Sequence, residues 1–263
     1  MKNEIYDRWK KGDIDIDVIQ FESIMNPAFP KAEYERAKKT LPSWKFNMFY
    51  RGIYDKPAGM IYDSFDSDLC KIKPISLDKT WKRYLGIDFG GVHTAIVWIA
   101  EHVVNDNVTN YYIYREYLEG GKTAKDHVES VNSVSKGENI VKSVGGSWSE
   151  DQWRDEWTQA GLFVRKAPIK DVELGITKTY GLFKQNRVFI FDTCKGILEE
   201  INNYSRVLDP NGEPTEKIED KEKYHRLDAV RYIFSDLVRD SGPVVLDDHR
   251  NVKRERTRLR LGL

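Results

Sequence analysis

Tyr84-Leu85-Gly86-Ile87-Asp88-Phe89, closed by Gly90-Gly91, is where the chain turns from irregular texture to hydrophobic runs. Thr94 to Ala100 follows at once, and Tyr111 to Tyr117 follows across the polar turn Asn105-Asp106-Asn107. Short runs rich in β-branched and aromatic residues, parted by turn formers, predict three successive antiparallel strands. Side chains alternate along a strand, so Leu85, Ile87 and Phe89 share one face of the first strand and Gly86 and Asp88 the other.

Toward the N-terminus, Asn26-Pro27-Ala28-Phe29-Pro30 starts a turn and Lys31 to Leu41 has helical spacing, but Pro42, Gly52, Pro57 and Gly59 then interrupt any regular element. Toward the C-terminus, Thr123 to Val134 predicts a helix, and Asn139 to Val144 a buried strand ending at Gly145-Gly146. Ser149-Glu150-Asp151-Gln152 resembles a capping box opening a helix from about Glu150 to Ala160, with Trp153 and Trp157 one turn apart in its core-facing part. A helix over Val172 to Phe183, a strand Val188 to Phe191, a helix over Lys195 to Tyr204 and a polar hairpin tip Asp209 to Pro214 come next. The last helix, about His225 to Val238, carries Leu227, Val230, Phe234 and Leu237 on an apolar stripe. This order describes an α/β protein, a ribonuclease-H-like mixed sheet flanked by helices.

The 263 residues suffice for one large domain with an appended segment. Lys and Arg number 42 and so do Asp and Glu, so nucleic-acid contact has to come from local basic patches rather than net charge. The two cysteines, Cys70 and Cys194, form no C-x-x-C pair, which argues against a disulfide scaffold or a zinc ribbon and for a reducing compartment. No run of about 18 apolar residues predicts a membrane span.

Asp88 is a carboxylate inside a strand, a costly placement unless a cation or a turn compensates. A divalent metal would do so; capping of the Gly90-Gly91 turn is the plainer alternative. On the last helix His225 and Asp228 stand at i and i+3 and share a face. They suit a metal, or Asp228 simply pairs with Arg231.

Four pieces then stand in a familiar order: Asn26-Pro27 with Phe29-Pro30; Gly52-Ile53-Tyr54 with Gly59-Met60-Ile61-Tyr62-Asp63-Ser64-Phe65; Leu85-Gly86-Ile87-Asp88-Phe89-Gly90; and Tyr224-His225-Arg226-Leu227-Asp228-Ala229-Val230-Arg231-Tyr232. Together they resemble the large terminase subunits of tailed bacteriophages from about Asn26 to Phe234. The resemblance implies a DNA-packaging motor whose C-terminal half is a metal-dependent endonuclease cutting concatemeric viral DNA in the host cytoplasm. Partners implied are double-stranded DNA, the portal protein, the small terminase subunit and a motor ATPase part on this or another chain. It further implies residues 1–80 as the tail of the motor half and linker, 81–240 as the nuclease domain and 241–263 as a basic tail.

By position Asp88 resembles the family's first-strand metal ligand, and Asp228 and His225 its last-helix ligands, holding two Mg²⁺ or Mn²⁺ ions. Two departures stand out. Gly120-Gly121-Lys122-Thr123 supplies only the end of a phosphate-cradling motif, with Glu116 in place of its first glycine, so this chain is not expected to hydrolyse ATP. Gly145-Gly146-Ser147 occupies the end of the fourth strand, where the family carries an acid; Glu150, Asp151 or Asp192 are the candidates to replace it. Because an imidazole ligand suits manganese, Mn²⁺ is expected to support more cleavage than Mg²⁺.

Candidate DNA contacts are Lys166 and Lys170, flanking Pro168, and the stretch Arg250 to Arg260, which includes Arg254 and Arg258 and sets six cations against one acid. Two other readings compete. A sugar-kinase or actin-like ATPase also places D-x-G between two strands, as Asp88 to Thr94 does, but it needs a second glycine-rich phosphate hairpin that Gly145-Gly146 is too sparse to form. A non-catalytic packaging module of the same fold fits the missing fourth-strand acid.

Overall fold

The computed structural model describes residues 5, 7–10, 12–40, 43–53 and 59–238. Helices α1 (Asp7–Lys10), α2 (Lys31–Thr40), α3 (Ser43–Tyr50) and α4 (Ser67–Cys70) precede β1 (Lys71–Ile72). The predicted meander follows as β2 (Arg83–Asp88), β3 (Thr94–Asn105) and β4 (Val108–Glu119), antiparallel throughout. Then come α5 (Ala124–Val134), β5 (Ile140–Gly145), α6 (Asp151–Gln159), α7 (Val172–Lys184), β6 (Val188–Phe191), α8 (Lys195–Asn203), the hairpin β7 (Arg206–Leu208) with β8 (Pro214–Ile218), and α9 (His225–Leu237).

The main sheet has the order β1-β6-β4-β3-β2-β5. β5 lies parallel beside β2, and the chain at Arg165 adds a parallel bridge to Val144 beyond it. An antiparallel meander with the fourth strand parallel to the first is the ribonuclease-H-like arrangement that the sequence predicts.

β3 runs five residues past its expected end, and β4 starts three residues before and ends two after its expected limits; side chains are paired at the start of the β3 extension. Tyr84 Oη donates to Glu101 at 2.9 Å, and Trp81 stacks on His102 with ring centroids 4.3 Å apart.

Two cores sit on opposite faces of the sheet. Leu85, Ile87 and Phe89 pack with Ile96, Trp98, Val128, Val131 and Trp157. The other face buries Val97, Ile99, Ile113 and Ile190 under α7, α8 and α9. Here Gly86 matters: a Cβ on it would fall 2.3 Å from the Ala229 carbonyl oxygen. Only glycine lets α9 lie this close to β2.

Ile61, Tyr62, Phe65 and Cys70 belong to that second core, and β1 extends the sheet beside β6. The residues just before 73, expected as linker, are thus built into the sheet domain; a two-residue strand is too short to betray itself by alternation. Tyr34, Ala37 and Phe46 form a separate small cluster with Ile24, Phe29 and Tyr50.

Candidate active site

Asp88 ends β2 with its side chain on the α9 face, as strand alternation requires. Ala229 sits on Gly86, so the residue one helical turn earlier, His225, falls on Asp88. His225 Nδ1 lies 2.9 Å from Asp88 Oδ2, joining residues 137 positions apart in sequence. The imidazole is half-buried, and the Asp88 side chain keeps only 11% of its surface exposed.

Burial pushes the Asp88 carboxyl up to about 6 from its ordinary value. The hydrogen bond from His225 opposes that rise, while the nearby charges of Asp228 and Glu150 add to it. His225 is itself raised, chiefly by its bond to Asp88. The charges of Asp228 and Glu150 thus bear on the Asp88–His225 pair, and carboxylate and imidazole donors of this kind suit a divalent cation. Among the described residues, however, no three or more Asp, Glu, His or Cys side chains stand together as a ligand group.

The reason lies in two side chains turned elsewhere. Asp228 Oδ1 accepts from Arg231 Nε at 3.1 Å and Nη2 at 2.7 Å, so the Asp228–Arg231 pairing weighed from sequence is present, and it leaves Oδ2 outside that bond. Glu150 Oε2 accepts from the Ser147 amide at 2.5 Å. Glu150 is the N-cap position of α6 but makes no side-chain cap bond to that helix, so the capping box expected at Ser149 to Gln152 is not formed. A capping box does open α5, between Thr123 and Asp126.

The other acids are placed away from Asp88. Asp151 is held by Arg154 at 2.7 Å and Lys166 at 2.9 Å, which keep its carboxyl below the usual range. Asp192 follows β6, three strands from β2, roughly 14 Å at an interstrand spacing of ~4.8 Å. That distance removes it as a stand-in for the fourth-strand acid.

Two glycines shape the ground between Glu150 and Asp88. A Cβ on Gly145 would meet the Ile87 carbonyl oxygen at 2.3 Å, and one on Gly146, whose φ is +75°, would meet the Phe89 ring at 2.6 Å. The end of β5 therefore presses directly on β2. Arg154, buried, fastens the loop by donating to the carbonyls of Gly145 at 3.0 Å and Ser147 at 2.9 Å.

Lys166 lies over the Trp148 ring at 5.1 Å as well as beside Asp151, and Lys170 is exposed. Arg254 and Arg258 lie outside the described residues. Trp157 is buried, as expected of a core residue, whereas Trp153 stacks on Phe89 from a more exposed position.

Sequence reading missed a buried network behind the site. Glu200 accepts from the Leu227 amide and from Arg226, both at 2.9 Å, and Glu116 accepts from the amides of Gly196 and Ile197, both at 2.8 Å. Glu200 thereby takes up a free N–H of the first turn of α9, the turn that presents His225 and Asp228. Its burial pushes the Glu200 carboxyl up to about 7. Nothing in the local sequence around Glu116 or Glu200 signals a role, because the contact crosses three elements. His93 was missed too; its ring lies 5.7 Å from that of His225.

The class that fold and site define is an α/β protein with a ribonuclease-H-like sheet and a partly buried Asp–His pair at the end of the meander's first strand. A search of protein-family models finds no match. Among curated proteins the chain is similar to the large terminase subunit of Escherichia phage T5, 24% identical over 216 residues, covering 79% of this chain and 48% of that one.

Among solved structures it is similar to the large terminase of a thermophilic bacteriophage, with a TM-score of 0.58 at 21% identity over 90% of this chain and 59% of that one. It also matches the nuclease domain of the bacteriophage SPP1 large terminase with bound Mn, with a TM-score of 0.51 at 18% identity, covering 67% of this chain and 98% of that domain. The chain spans about half the length of the T5 protein. In sequence it resembles a phage large terminase, and its fold is the one found in the nuclease part of those proteins.

Proposed function

We propose that this chain is the nuclease part of a phage large terminase, a metal-dependent endonuclease that cuts concatemeric viral DNA during packaging in the host cytoplasm. The observation that carries the reading is the approach of His225 to Asp88 at 2.9 Å, which sets the first turn of α9 against the end of β2. Support comes from the negative charge concentrated there by Asp228 and Glu150.

In this reading Asp88, Asp228, His225 and Glu150 are the residues that would hold two divalent ions, although Glu150 Oε2 accepts from the Ser147 amide here. When bound, Mg²⁺ or Mn²⁺ supplies activation of water and stabilisation of the departing 3′ oxygen. The chain's own contribution is orientation. Asp88 fixes the imidazole ring of His225 through Nδ1, and Arg231 fixes Asp228 through Oδ1. Lys166, Lys170 and the basic tail with Arg254 and Arg258 contact phosphates of double-stranded DNA. The part before about residue 60 is assigned to the motor half and linker, residues from there to 240 to the nuclease part, since 61–72 pack into its sheet and core, and residues 241–263 to a basic tail. The portal protein, the small terminase subunit and an ATPase motor part complete the assembly.

Plasmid DNA incubated with the purified chain and Mn²⁺ tests this directly, with Asp88→Ala and Mg²⁺ in parallel. Cutting by the wild type, weaker in Mg²⁺ and lost in Asp88→Ala, is expected. Equal cutting in Mg²⁺ would count against His225 as a ligand. Absence of cutting by either protein would favour the non-catalytic packaging module.

A further inference from the structure

The turn from Gly90 to His93 joins β2 to β3 directly after Asp88, and its backbone is fixed by contacts that only glycine permits. A Cβ on Gly90 would lie 2.2 Å from the His93 carbonyl oxygen, and a Cβ on Gly120, at the end of β4, would lie 1.6 Å from the Val92 carbonyl oxygen. The Thr94 hydroxyl donates to the Gly90 carbonyl at 3.1 Å and ties the turn across its base. A turn closed on itself at its base and packed against the end of β4 is held in place there, although its tip is open to solvent.

That tip has the features of an anion seat. Gly91 and Val92 are exposed, and a Cβ on Gly91 would meet nothing within 4 Å. Among the described residues the amides of Gly91 and Val92 meet no acceptor. His93 is exposed, and its ring centroid stands 5.7 Å from that of His225, whose Nδ1 is bound to Asp88. One imidazole thus faces the carboxylates while the other stands beside it with no hydrogen-bond or ion-pair partner among the described residues. Acidic side chains repel a DNA backbone, so a strand reaching Asp88 needs donors next to them to hold its phosphates. Exposed amides and a ring N–H on a rigid turn provide such donors without adding charge.

We propose that the β2–β3 turn is a phosphate-holding arm of this site, in which His93 donates a ring N–H to a DNA backbone phosphate next to the Asp88–His225 pair. The inference rests on the nuclease reading above. It assigns His93 to substrate contact rather than to metal binding, and it explains why a histidine stands on the loop that begins beside Asp88.

The experiment compares wild type with His93→Ala, His93→Gln, His225→Ala and Asp88→Ala, all as the full chain. Three quantities are read: affinity for a short fluorescent DNA duplex in metal-free buffer by anisotropy, Mn²⁺ affinity by calorimetry, and the KM and kcat of cleavage. A hydrogen bond to an ionised acceptor predicts that His93→Ala weakens duplex binding and raises KM about tenfold. Mn²⁺ affinity and kcat should stay within about twofold to threefold of wild type, as expected when one substrate contact is removed. His93→Gln, which keeps an N–H donor, should recover most of the loss.

Unchanged duplex affinity in His93→Ala overturns the proposal. So does a loss of Mn²⁺ affinity matching that of His225→Ala, which would make His93 a metal ligand. Failure of the nuclease reading shows separately, as Asp88→Ala binding Mn²⁺ like the wild type. The duplex-binding arm still decides the role of His93 in that case.

Discussion

Asp88 illustrates how a carboxylate is tolerated in a core. Its carboxyl titrates at about 6 when folded against an ordinary 3.8, because burial and two acidic neighbours outweigh His225. Below pH 3.8 both folded and unfolded chains carry the proton, and the group costs nothing. As pH rises from 3.8 through 6, the unfolded chain ionises first, so stability falls across that window and stays lower above it. A gap of about two pH units corresponds to on the order of 2–3 kcal/mol. Asp88→Asn should therefore stabilise the metal-free chain at pH 8 by up to that amount and flatten the pH dependence between about 4 and 6; in the proposed nuclease reading it should also abolish Mn²⁺ binding. Thermal melts at pH 4, 6 and 8 check the first two outcomes and calorimetry the third; equal melting of mutant and wild type at pH 8 would deny that the buried charge is costly. Asp88 was legible from sequence because a carboxylate in an apolar strand is anomalous on its own terms. The orientation of Glu150 was not, since an acid at a helix start is favoured there by the helix dipole whether or not it binds anything.

At the scale of elements, the site is the meeting of β2 with α9, and Gly86 sets their separation. The added methyl of Gly86→Ala would fall 2.3 Å from the Ala229 carbonyl oxygen and 2.9 Å from Ile233 Cγ2. A helix carbonyl cannot move aside as a flexible side chain would, so α9 itself has to shift. The expected cost is about 2–3 kcal/mol, which corresponds to a fall in melting temperature of roughly 5–10 °C for a chain of this size. In the proposed nuclease reading the same shift should weaken Mn²⁺ binding at temperatures where the variant remains folded, because His225 and Asp228 ride on the displaced helix. A variant that melts early but binds Mn²⁺ as tightly as wild type would separate helix position from the site.

Both elements were predicted within a residue or so, since alternation and a 3.6-residue stripe each mark a face. Their contact was accessible only through the fold, which places the fourth strand and the last helix around the first strand. β1, α3 and the network in which Arg226 lies between Glu200 at 2.9 Å and Glu116 at 3.4 Å were not legible. Two are too short or too evenly mixed to show a period, and the third joins residues from three elements whose spacing carries no local signal.

At the scale of the whole molecule, equal numbers of cationic and anionic residues leave no long-range attraction for DNA, so affinity has to be concentrated in patches. The two patches proposed here differ in how free their charges are. Lys166 is committed to Asp151 at 2.9 Å and to the Trp148 ring, so a phosphate must compete with an existing ion pair, and the Asp151 charge left behind opposes the gain. The stretch Arg250 to Arg260 sets six cations against one acid, so a phosphate there meets a local excess. Each phosphate neutralised by a free cation releases counterions and steepens the dependence of log K on log salt by about 0.9. Replacing Arg254 and Arg258 together by Ala should therefore flatten that slope by nearly two, whereas Lys166→Ala should change it by less than one. Duplex anisotropy titrations between about 50 and 200 mM salt resolve the difference. A larger effect for Lys166 than for the tail pair would place the main electrostatic track across the β5–α6 side of the sheet instead.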